Sequence, residues 1–229
     1  MSSFSALLTQ IIPLALGAAV SPTALMGIIL LLSISKKPKL QGFGYYSGAI
    51  ALIIIVVALG VVLGAGITAA SAKHNPILAG IDVLLGIFLL AFGFKRILQS
   101  QKSPNKLFQG DDKQKSNLIS FFKGVSFGFA MFLINFSTTL IVLDAAKEIG
   151  SSPADLTSKL IVVIILILIT LLVCEVPLLI FLLFPDRANN ILSKVNRWMQ
   201  KNGHYLMGIV ILVIGIYLIW IGLLRLGFI

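Results

Sequence analysis

Residues 86–96 read Gly-Ile-Phe-Leu-Leu-Ala-Phe-Gly-Phe-Lys-Arg, and residues 215–225 read Gly-Ile-Tyr-Leu-Ile-Trp-Ile-Gly-Leu-Leu-Arg. Five identities keep one constant offset of 129: Gly86 and Gly215, Ile87 and Ile216, Leu89 and Leu218, Gly93 and Gly222, and Arg96 and Arg225. Both copies lie in strongly apolar stretches, which indicates an internal repeat of a membrane protein. Duplicated membrane halves build a site at the centre of many transporters. The repeat therefore favours transport as the function.

The composition predicts that most of the chain lies inside a bilayer. Hydrophobic residues make up 58% of the 229 residues. Charged residues make up only 11%, against roughly a quarter in a soluble domain. Apolar runs of about 20 residues recur, and a helix of that length crosses ~30 Å of hydrocarbon. The lone cysteine, Cys174, excludes an internal disulfide. We therefore expect an all-α integral membrane protein.

Six transmembrane helices are predicted, arranged as two inverted three-helix repeats. The predicted spans are 4–35, 42–67, 77–98, 118–145, 159–185 and 205–228. The predicted divisions of the chain are a first repeat at 1–98, a cytoplasmic linker at 99–117 and a second repeat at 118–229. Within the second repeat, residues 186–203 combine apolar residues at helical spacing with a basic face, which predicts an amphipathic helix in the headgroup layer. This segment is either an anchor or a lipid sensor.

Lysine and arginine are unevenly distributed along the chain. Of 18 such residues, 14 fall at 36–41, 95–123 and 186–204. Loops rich in lysine and arginine remain on the cytoplasmic side of a membrane. Both termini are therefore predicted to lie outside, with the protein in the plasma membrane. These loops also account for the net charge of +10, so we expect no nucleic-acid partner.

Two short polar motifs interrupt the first and fourth predicted helices. Ser21-Pro22-Thr23-Ala24-Leu25 aligns with Phe136-Ser137-Thr138-Thr139-Leu140 at an offset of 115, which extends the duplication. Proline removes a backbone hydrogen bond and predicts a kink or break at Ser21-Pro22. Two discontinuous helices that meet at the centre would form a substrate pocket. Its predicted residues are Ser21, Pro22, Thr23, Asn135, Ser137 and Thr138. The alternative is kinked helices whose hydroxyls bond their own backbone.

Two acidic residues are candidates for ion coupling. Glu175 lies about ten residues from the cytoplasmic end of the fifth helix. A charge at such depth costs roughly 2.5–3.5 kcal/mol, so it either couples protons, binds substrate or closes helix packing as a hydrogen-bonded carboxyl. Asp82 lies about one turn inside the outer end of the third helix, where water can reach it. Asp144, Lys147 and Glu148, at the outer end of the fourth helix, are expected to form a solvated rim.

The sequence lacks the motifs of nucleotide hydrolysis, metal binding and nucleophilic catalysis. It contains no Gly-rich phosphate loop followed by Lys-Ser/Thr, and no His/Cys/Asp cluster with metal-ligand spacing. Both histidines, His74 and His204, fall in predicted loops, so no Ser/His/Asp set is plausible. We expect no enzymatic activity, no catalytic residues, no cofactor and no metal site.

The chain resembles the lysine-exporter (LysE) superfamily in three features. These are the proline motif of the first helix, the Asn-led motif of the fourth helix and the inverted halves. Within this superfamily, Leu16-Gly17-Ala18-Ala19-Val20-Ser21-Pro22 is most similar to the first helix of the peptidoglycolipid-addressing protein (GAP) family. This resemblance covers nearly the whole chain and implies delivery of glycolipids across the membrane or to the cell surface. The resemblance leads us to expect a proline after Asn135, but this sequence has Phe136 there. The paired cysteines of the superfamily's electron carriers and the acidic residues of its metal exporters are missing.

The sequence and the resemblance together predict a transporter of a lipid, glycolipid or lipid precursor. It would work by alternating access at a midplane pocket between the two repeats. Its partners would be membrane lipids and a lipid or small-molecule substrate, with homo-oligomer formation left open. The alternative is a proton-coupled exporter of a small polar solute such as an amino acid; a metal ion fits less well, because divalent cations prefer carboxylate oxygens. A scaffold whose repeat serves only packing is a third interpretation.

Overall fold

The computed structural model describes residues 3–66, 76–98 and 117–226, and within these ranges the chain is helical with short breaks and no strand. Its helices are α1 (Ser3–Ala19), α2 (Pro22–Ile34), α3 (Pro38–Ala65), α4 (Pro76–Leu98), α5 (Asn117–Ile134), α6 (Phe136–Ser151), α7 (Leu156–Leu183) and α8 (Pro185–Leu226). The all-helical prediction is confirmed. The predicted linker lies outside the described residues except for Asn117, which begins α5, and His74 also lies outside them.

Several of these helices are long and apolar enough to cross a membrane. Four qualify individually: α3, α5, α7 and the part of α8 from Tyr205 to Leu224. A fifth candidate is the pair Phe4–Ala19 and Pro22–Ser33, which is bent by 50° at its break. The described residues therefore contain four or five candidate spans, compatible with a multi-pass membrane protein. Six spans remain a prediction.

The outward faces of the long helices are apolar. On α7, Leu160, Ile164, Leu168, Leu172 and Val176 recur every four residues, and all five are exposed. Such a continuous apolar stripe is rare on a soluble monomer, since water disfavours it. It is the surface that a helix presents to lipid chains.

Glycines let the helix backbones lie in contact. The sequence predicts close packing at the glycine pairs Gly44/Gly48, Gly60/Gly64 and Gly124/Gly128. In the structure, a methyl group at Gly48 would overlap the carbonyl oxygen of Val125, and one at Gly128 would overlap that of Tyr45. Gly64 packs in the same way on the carbonyl of Lys147. The prediction is confirmed, and α3 is fixed along both α5 and α6.

The repeated motif forms the interface between α4 and α8. α4 packs against α8 along most of its length and touches the other helices much less. A methyl group at Gly86 would lie 2.8 Å from the carbonyl oxygen of Gly215, and one at Gly215 would lie 3.1 Å from that of Gly86. These two helices therefore form a tightly packed pair beside the bundle of the remaining helices.

α8 runs without a break for 42 residues. At about 1.5 Å per residue it is about 63 Å long, roughly twice the thickness of the hydrocarbon layer. Residues 186–203 form its first half, where Lys194, Arg197 and Trp198 are exposed. The prediction that His204 lies in a loop is wrong. The helix continues through this point. Gly203 leaves room there for Pro22 of α2, which would lie 2.9 Å from a methyl group at this position.

Candidate functional site

The first predicted span is interrupted at Ser21, as its proline motif predicts. α1 ends at Ala19 and α2 begins at Pro22, with Ser21 in an extended conformation between them. Proline suits the first position of a helix because the amide N–H that it lacks has no partner there. The Ser21 hydroxyl oxygen accepts a hydrogen bond from the amide of Ala24 at 3.2 Å and caps α2.

The fourth predicted span is interrupted at Asn135, although Phe136 occupies the place of the expected proline. α5 ends at Ile134 and α6 begins at Phe136. Asn135 has φ −78° and ψ 65°, and its side chain does not cap α6. The Thr139 hydroxyl donates to the carbonyl oxygen of Phe132 at 3.2 Å. This side-chain bond compensates for the helical bond that the interruption removes.

Polar side chains from both interruptions meet in one hydrogen-bonded cluster. The Asn135 amide nitrogen donates to the hydroxyl oxygen of Ser21, from the other half of the chain, and to that of Thr138 at 2.7 Å. Ser137 donates to the Asn135 amide oxygen at 3.3 Å, and Thr138 donates to the carbonyl oxygen of Ala18 at 3.2 Å. We call Ser21, Thr23, Asn135, Ser137 and Thr138 the polar junction.

The polar junction is buried, and one of its hydroxyl groups lacks a partner. Ser21 is 1% exposed, and the Thr138 side chain is fully buried. Among the described residues, the buried hydroxyl oxygen of Thr23 has no hydrogen-bond partner. Pro22, the remaining predicted pocket residue, is buried where α2 meets α8. All six residues predicted for the pocket therefore lie at or beside one junction; whether they bind a substrate remains a prediction.

Glu175 lies outside the polar junction, on α7. Its carboxylate accepts a hydrogen bond from the hydroxyl of Tyr46 at 2.7 Å. The neighbouring residue Tyr45 is fully buried and donates to the carbonyl oxygen of Ala24, in the first turn of α2, at 2.9 Å. Two adjacent tyrosines of α3 thus connect Glu175 on one side with the interrupted helix on the other.

A second cluster of charged residues lies where α4 crosses α6, and the sequence did not predict it. The Lys147 ammonium contacts the carboxylate of Asp82, lies 2.8 Å from an oxygen of Asp144 and 3.6 Å from an oxygen of Glu148. Asp82 and Asp144 are each 1% exposed, and Lys147 is 3% exposed. The prediction of a solvated rim at residues 144–148 is therefore wrong, because α4, α1 and α8 cover this face of α6. Asp82 is likewise buried rather than open to water.

We call Asp82, Asp144, Lys147 and Glu148 the buried charge cluster. One carboxylate oxygen from each acid lies within 4.8 Å of the others. The lysine ammonium occupies the place between them that a bound cation would take. One signal was available in the sequence: Asp144, Lys147 and Glu148 are three and four residues apart, so they share one face of a helix. Their contact with Asp82 had no sequence signal.

An apolar groove of about 590 Å³ lies along the outer face of α5. The described residues that line it are Leu118, Ile119, Phe122, Lys123, Ser126 and Phe127. Its inner end leads to the core, because the ring of Phe127 packs on that of Tyr45 at 5.6 Å between centroids. The groove therefore begins at the surface and ends beside the tyrosine that binds Ala24.

Comparison with known proteins gives one family. The family model described as "Sap, sulfolipid-1-addressing protein" (SfLAP) matches residues 11–224, which include both helix interruptions, the buried charge cluster and α8 as far as Leu224. Comparisons with curated proteins and with solved structures gave no match. The prediction of a lipid-addressing membrane protein is confirmed at this level, whereas membership of the LysE superfamily and the GAP family remains a prediction. The chain belongs to the SfLAP family of lipid-addressing membrane proteins.

Proposed function

We propose that this protein moves an anionic lipid or glycolipid across the plasma membrane by exposing the polar junction alternately to its two sides. The observation that carries this proposal is the hydrogen bond between Asn135 and Ser21, which joins two interrupted helices from different halves of the chain. Transporters with discontinuous helices bind their substrates at such meeting points. The SfLAP match supports a lipid as the cargo.

An inverted repeat with six crossings is part of this proposal. The contacts between α4 and α8 support it: a methyl group at Gly93 would lie 3.2 Å from the carbonyl oxygen of Gly208, and one at Gly222 would lie 3.0 Å from that of Ala79. The repeat offset of 129 pairs Gly93 with Gly222, and Ala79 with Gly208. Exchanging the two repeats therefore converts the first contact into the second. Reciprocal contacts of this kind arise when two equivalent units are related by a twofold axis.

The chemistry of the polar junction favours a polar and anionic headgroup. α2 and α6 both begin there, and helix N-termini carry partial positive charge on their free amide groups. The Asn135 side chain leaves the first turn of α6 uncapped, and the buried Thr23 hydroxyl is without a partner among the described residues. A sulfate or phosphate ester could accept hydrogen bonds from the free amide groups of that turn and from the Thr23 hydroxyl. The sulfolipid in the family's description has a headgroup of this class.

A lipid needs a lateral path from the bilayer, and the α5 groove supports one. Its apolar lining suits an acyl chain, and Lys123 at its edge suits an anionic headgroup. Phe127, which lines the groove, packs on Tyr45, and Tyr45 donates a hydrogen bond to Ala24, three residues from Ser21. We propose that the acyl chains stay in the groove while the headgroup reaches the junction. Tyr46, the neighbour of Tyr45 in the chain, donates a hydrogen bond to Glu175, and Glu175 would respond to the substrate's charge.

Native mass spectrometry of gently purified protein tests this function. Wild type is compared with Asn135→Ala, Glu175→Gln and Lys201→Gln, the last a control on the exposed part of α8. We expect a specific anionic lipid or glycolipid in wild type and the control, with at least a tenfold lower occupancy in Asn135→Ala. Only annular lipid, unchanged by any substitution, would overturn the proposal. Proton-driven export of a polar solute from proteoliposomes would then be the leading alternative.

A further inference from the structure

The carboxyl group of Glu175 lies at the edge of the lipid-facing surface of α7. Glu175 is half-buried. Leu172, one turn before it, is 41% exposed, and Leu179, one turn after it, is 52% exposed. The apolar stripe of α7 therefore borders the carboxyl group on its outer side. Ionisable residues of membrane helices usually face the interior of the bundle or a water-filled cavity, so this position requires a physical explanation.

Two helices give the depth of this carboxyl group. Glu175 lies eight residues before the end of α7, and its partner Tyr46 lies eight residues after the start of α3. At about 1.5 Å per residue, each is about 12 Å from that helix end. Both helices have 28 residues, so a centred helix extends about 6 Å beyond each side of ~30 Å of hydrocarbon. The carboxyl group is therefore about 6 Å inside the hydrocarbon boundary, near enough to exchange a proton with the headgroup layer.

Tyr46 is the hydrogen-bonding partner of Glu175, and within the described part of the chain the carboxylate has no other. The Tyr46 hydroxyl donates to it at 2.7 Å. No helix packed on α7 supplies an ion pair to Glu175 from the residues described. The titratable group beside it on α7, Cys174, is fully buried. A phenol stabilises a carboxylate without cancelling its charge, so the group can gain or lose a proton without a countercharge that fixes either form.

The tyrosine pair of α3 connects this carboxyl group with the polar junction. Tyr45, which precedes Tyr46, donates to the carbonyl oxygen of Ala24 at 2.9 Å. The amide of Ala24 in turn donates to the hydroxyl oxygen of Ser21 at 3.2 Å. A change in how Glu175 holds Tyr46 therefore acts on the helix start that positions Ser21.

We propose that Glu175 is a proton-binding site on the lipid-facing surface between α3 and α7, and that Tyr46 is the residue that positions it. The proton comes from the headgroup layer on the predicted cytoplasmic side and adds to a carboxylate oxygen, and no electron is transferred. With the proton bound the site is neutral, and an anionic headgroup reaches the polar junction without repulsion. When the proton leaves, the carboxylate repels that headgroup. This second step rests on the proposed lipid function, whereas the proton site itself does not.

Labelling with dicyclohexylcarbodiimide in proteoliposomes tests the proton site. This uncharged, apolar reagent enters the bilayer. The O–H of a protonated carboxyl group adds across one of its C=N bonds, and the acylurea that forms has the mass of protein plus reagent. Intact-mass measurement compares wild type with Glu175→Gln, Tyr46→Phe and Asp155→Asn. Asp155→Asn is the matched control, because Asp155 caps the exposed start of the same helix and asparagine also serves as a cap.

We expect label on wild type, Tyr46→Phe and Asp155→Asn, less label on wild type as the pH rises, and loss of the label in Glu175→Gln. The proton site is refuted if wild type takes up no label or if Glu175→Gln is labelled like wild type. It is also refuted if Tyr46→Phe loses the label, because the reagent would then have reacted with the phenol. Equal labelling by a charged, water-soluble carbodiimide would refute access from the lipid.

Lipid retention at two values of pH tests the second step. In native mass spectrometry, wild type should retain less anionic lipid at alkaline than at acidic pH. Glu175→Gln stays neutral and should retain the same amount at both. Retention by wild type that is independent of pH, or a full pH response in Glu175→Gln, would refute the effect on the headgroup. If no specific lipid is retained at any pH, the lipid function and this second step fail together, whereas a positive carbodiimide result still establishes the proton site.

Discussion

Asn135 is the residue on which the polar junction depends. Its amide group donates to the hydroxyl oxygens of Ser21 and Thr138 and accepts from Ser137. Asn135→Ala should lower the free energy of unfolding by about 1–3 kcal/mol, because buried polar groups then lose their partners. Ser137→Ala is the matched control, since it removes only the bond at 3.3 Å. Chemical unfolding in detergent micelles measures both; equal losses would contradict the central role of Asn135.

The residues of the junction could be predicted from the sequence, whereas those of the buried charge cluster could not. Ser21, Asn135 and Thr138 stand out because polar groups are rare in apolar helices, and the repeat aligns Thr138 with Thr23. Asp82 and Lys147 lie 65 positions apart, and no sequence pattern predicts that they are in contact. The positions of residues 144–148 near a helix end predicted exposure to solvent. Their burial depends on how α4 and α8 pack around α6, which the sequence does not give.

At the scale of helices, backbone contact between α3 and α5 requires glycine. A methyl group at Gly128 would overlap the carbonyl oxygen of Tyr45, and a backbone carbonyl cannot move aside as a side chain can. Gly128→Ala should therefore destabilise the protein by about 1–3 kcal/mol. At Gly80 of α4, no atom lies within 4 Å of an added methyl group, so Gly80→Ala should be neutral or stabilising by up to about 1 kcal/mol. Thermal unfolding distinguishes them, and a similar loss for both would contradict this packing.

The helices could be predicted more reliably than their ends and interruptions. Apolar runs located α3 and α7, and Pro22 located the first interruption. The interruption at Asn135 has no proline beside it, and it is accommodated by side-chain bonds such as that of Thr139 to the carbonyl of Phe132. The close contact of Gly203 of α8 with Pro22 of α2 likewise involves a neighbouring helix, which single-sequence patterns do not contain.

At the scale of the whole molecule, the number of crossings decides whether the two halves are inverted. If α3, α4 and the interrupted α5–α6 all cross, Lys39 at the start of α3 and Asp155 after α6 lie on opposite sides of the membrane. If α4 does not cross, they lie on the same side. Lys194, in the first half of α8, should lie on the same side of the membrane as Lys39, because α7 crosses the membrane once more after Asp155. Lysine enrichment predicts that this side is cytoplasmic.

Single cysteines at positions 39, 155 and 194, in a Cys174→Ala background, test this topology with a membrane-impermeant maleimide. In intact cells we expect labelling of Asp155→Cys alone, and labelling of all three after permeabilisation. Labelling of Lys39→Cys and Lys194→Cys without Asp155→Cys would keep the six crossings but reverse the orientation. If Lys39→Cys and Asp155→Cys always react together, α4 does not cross, the halves are not inverted, and alternating access between equivalent repeats must be abandoned. The reciprocal glycine contacts of α4 and α8 lead us to expect the first result, because an axis that exchanges the two halves would produce such contacts.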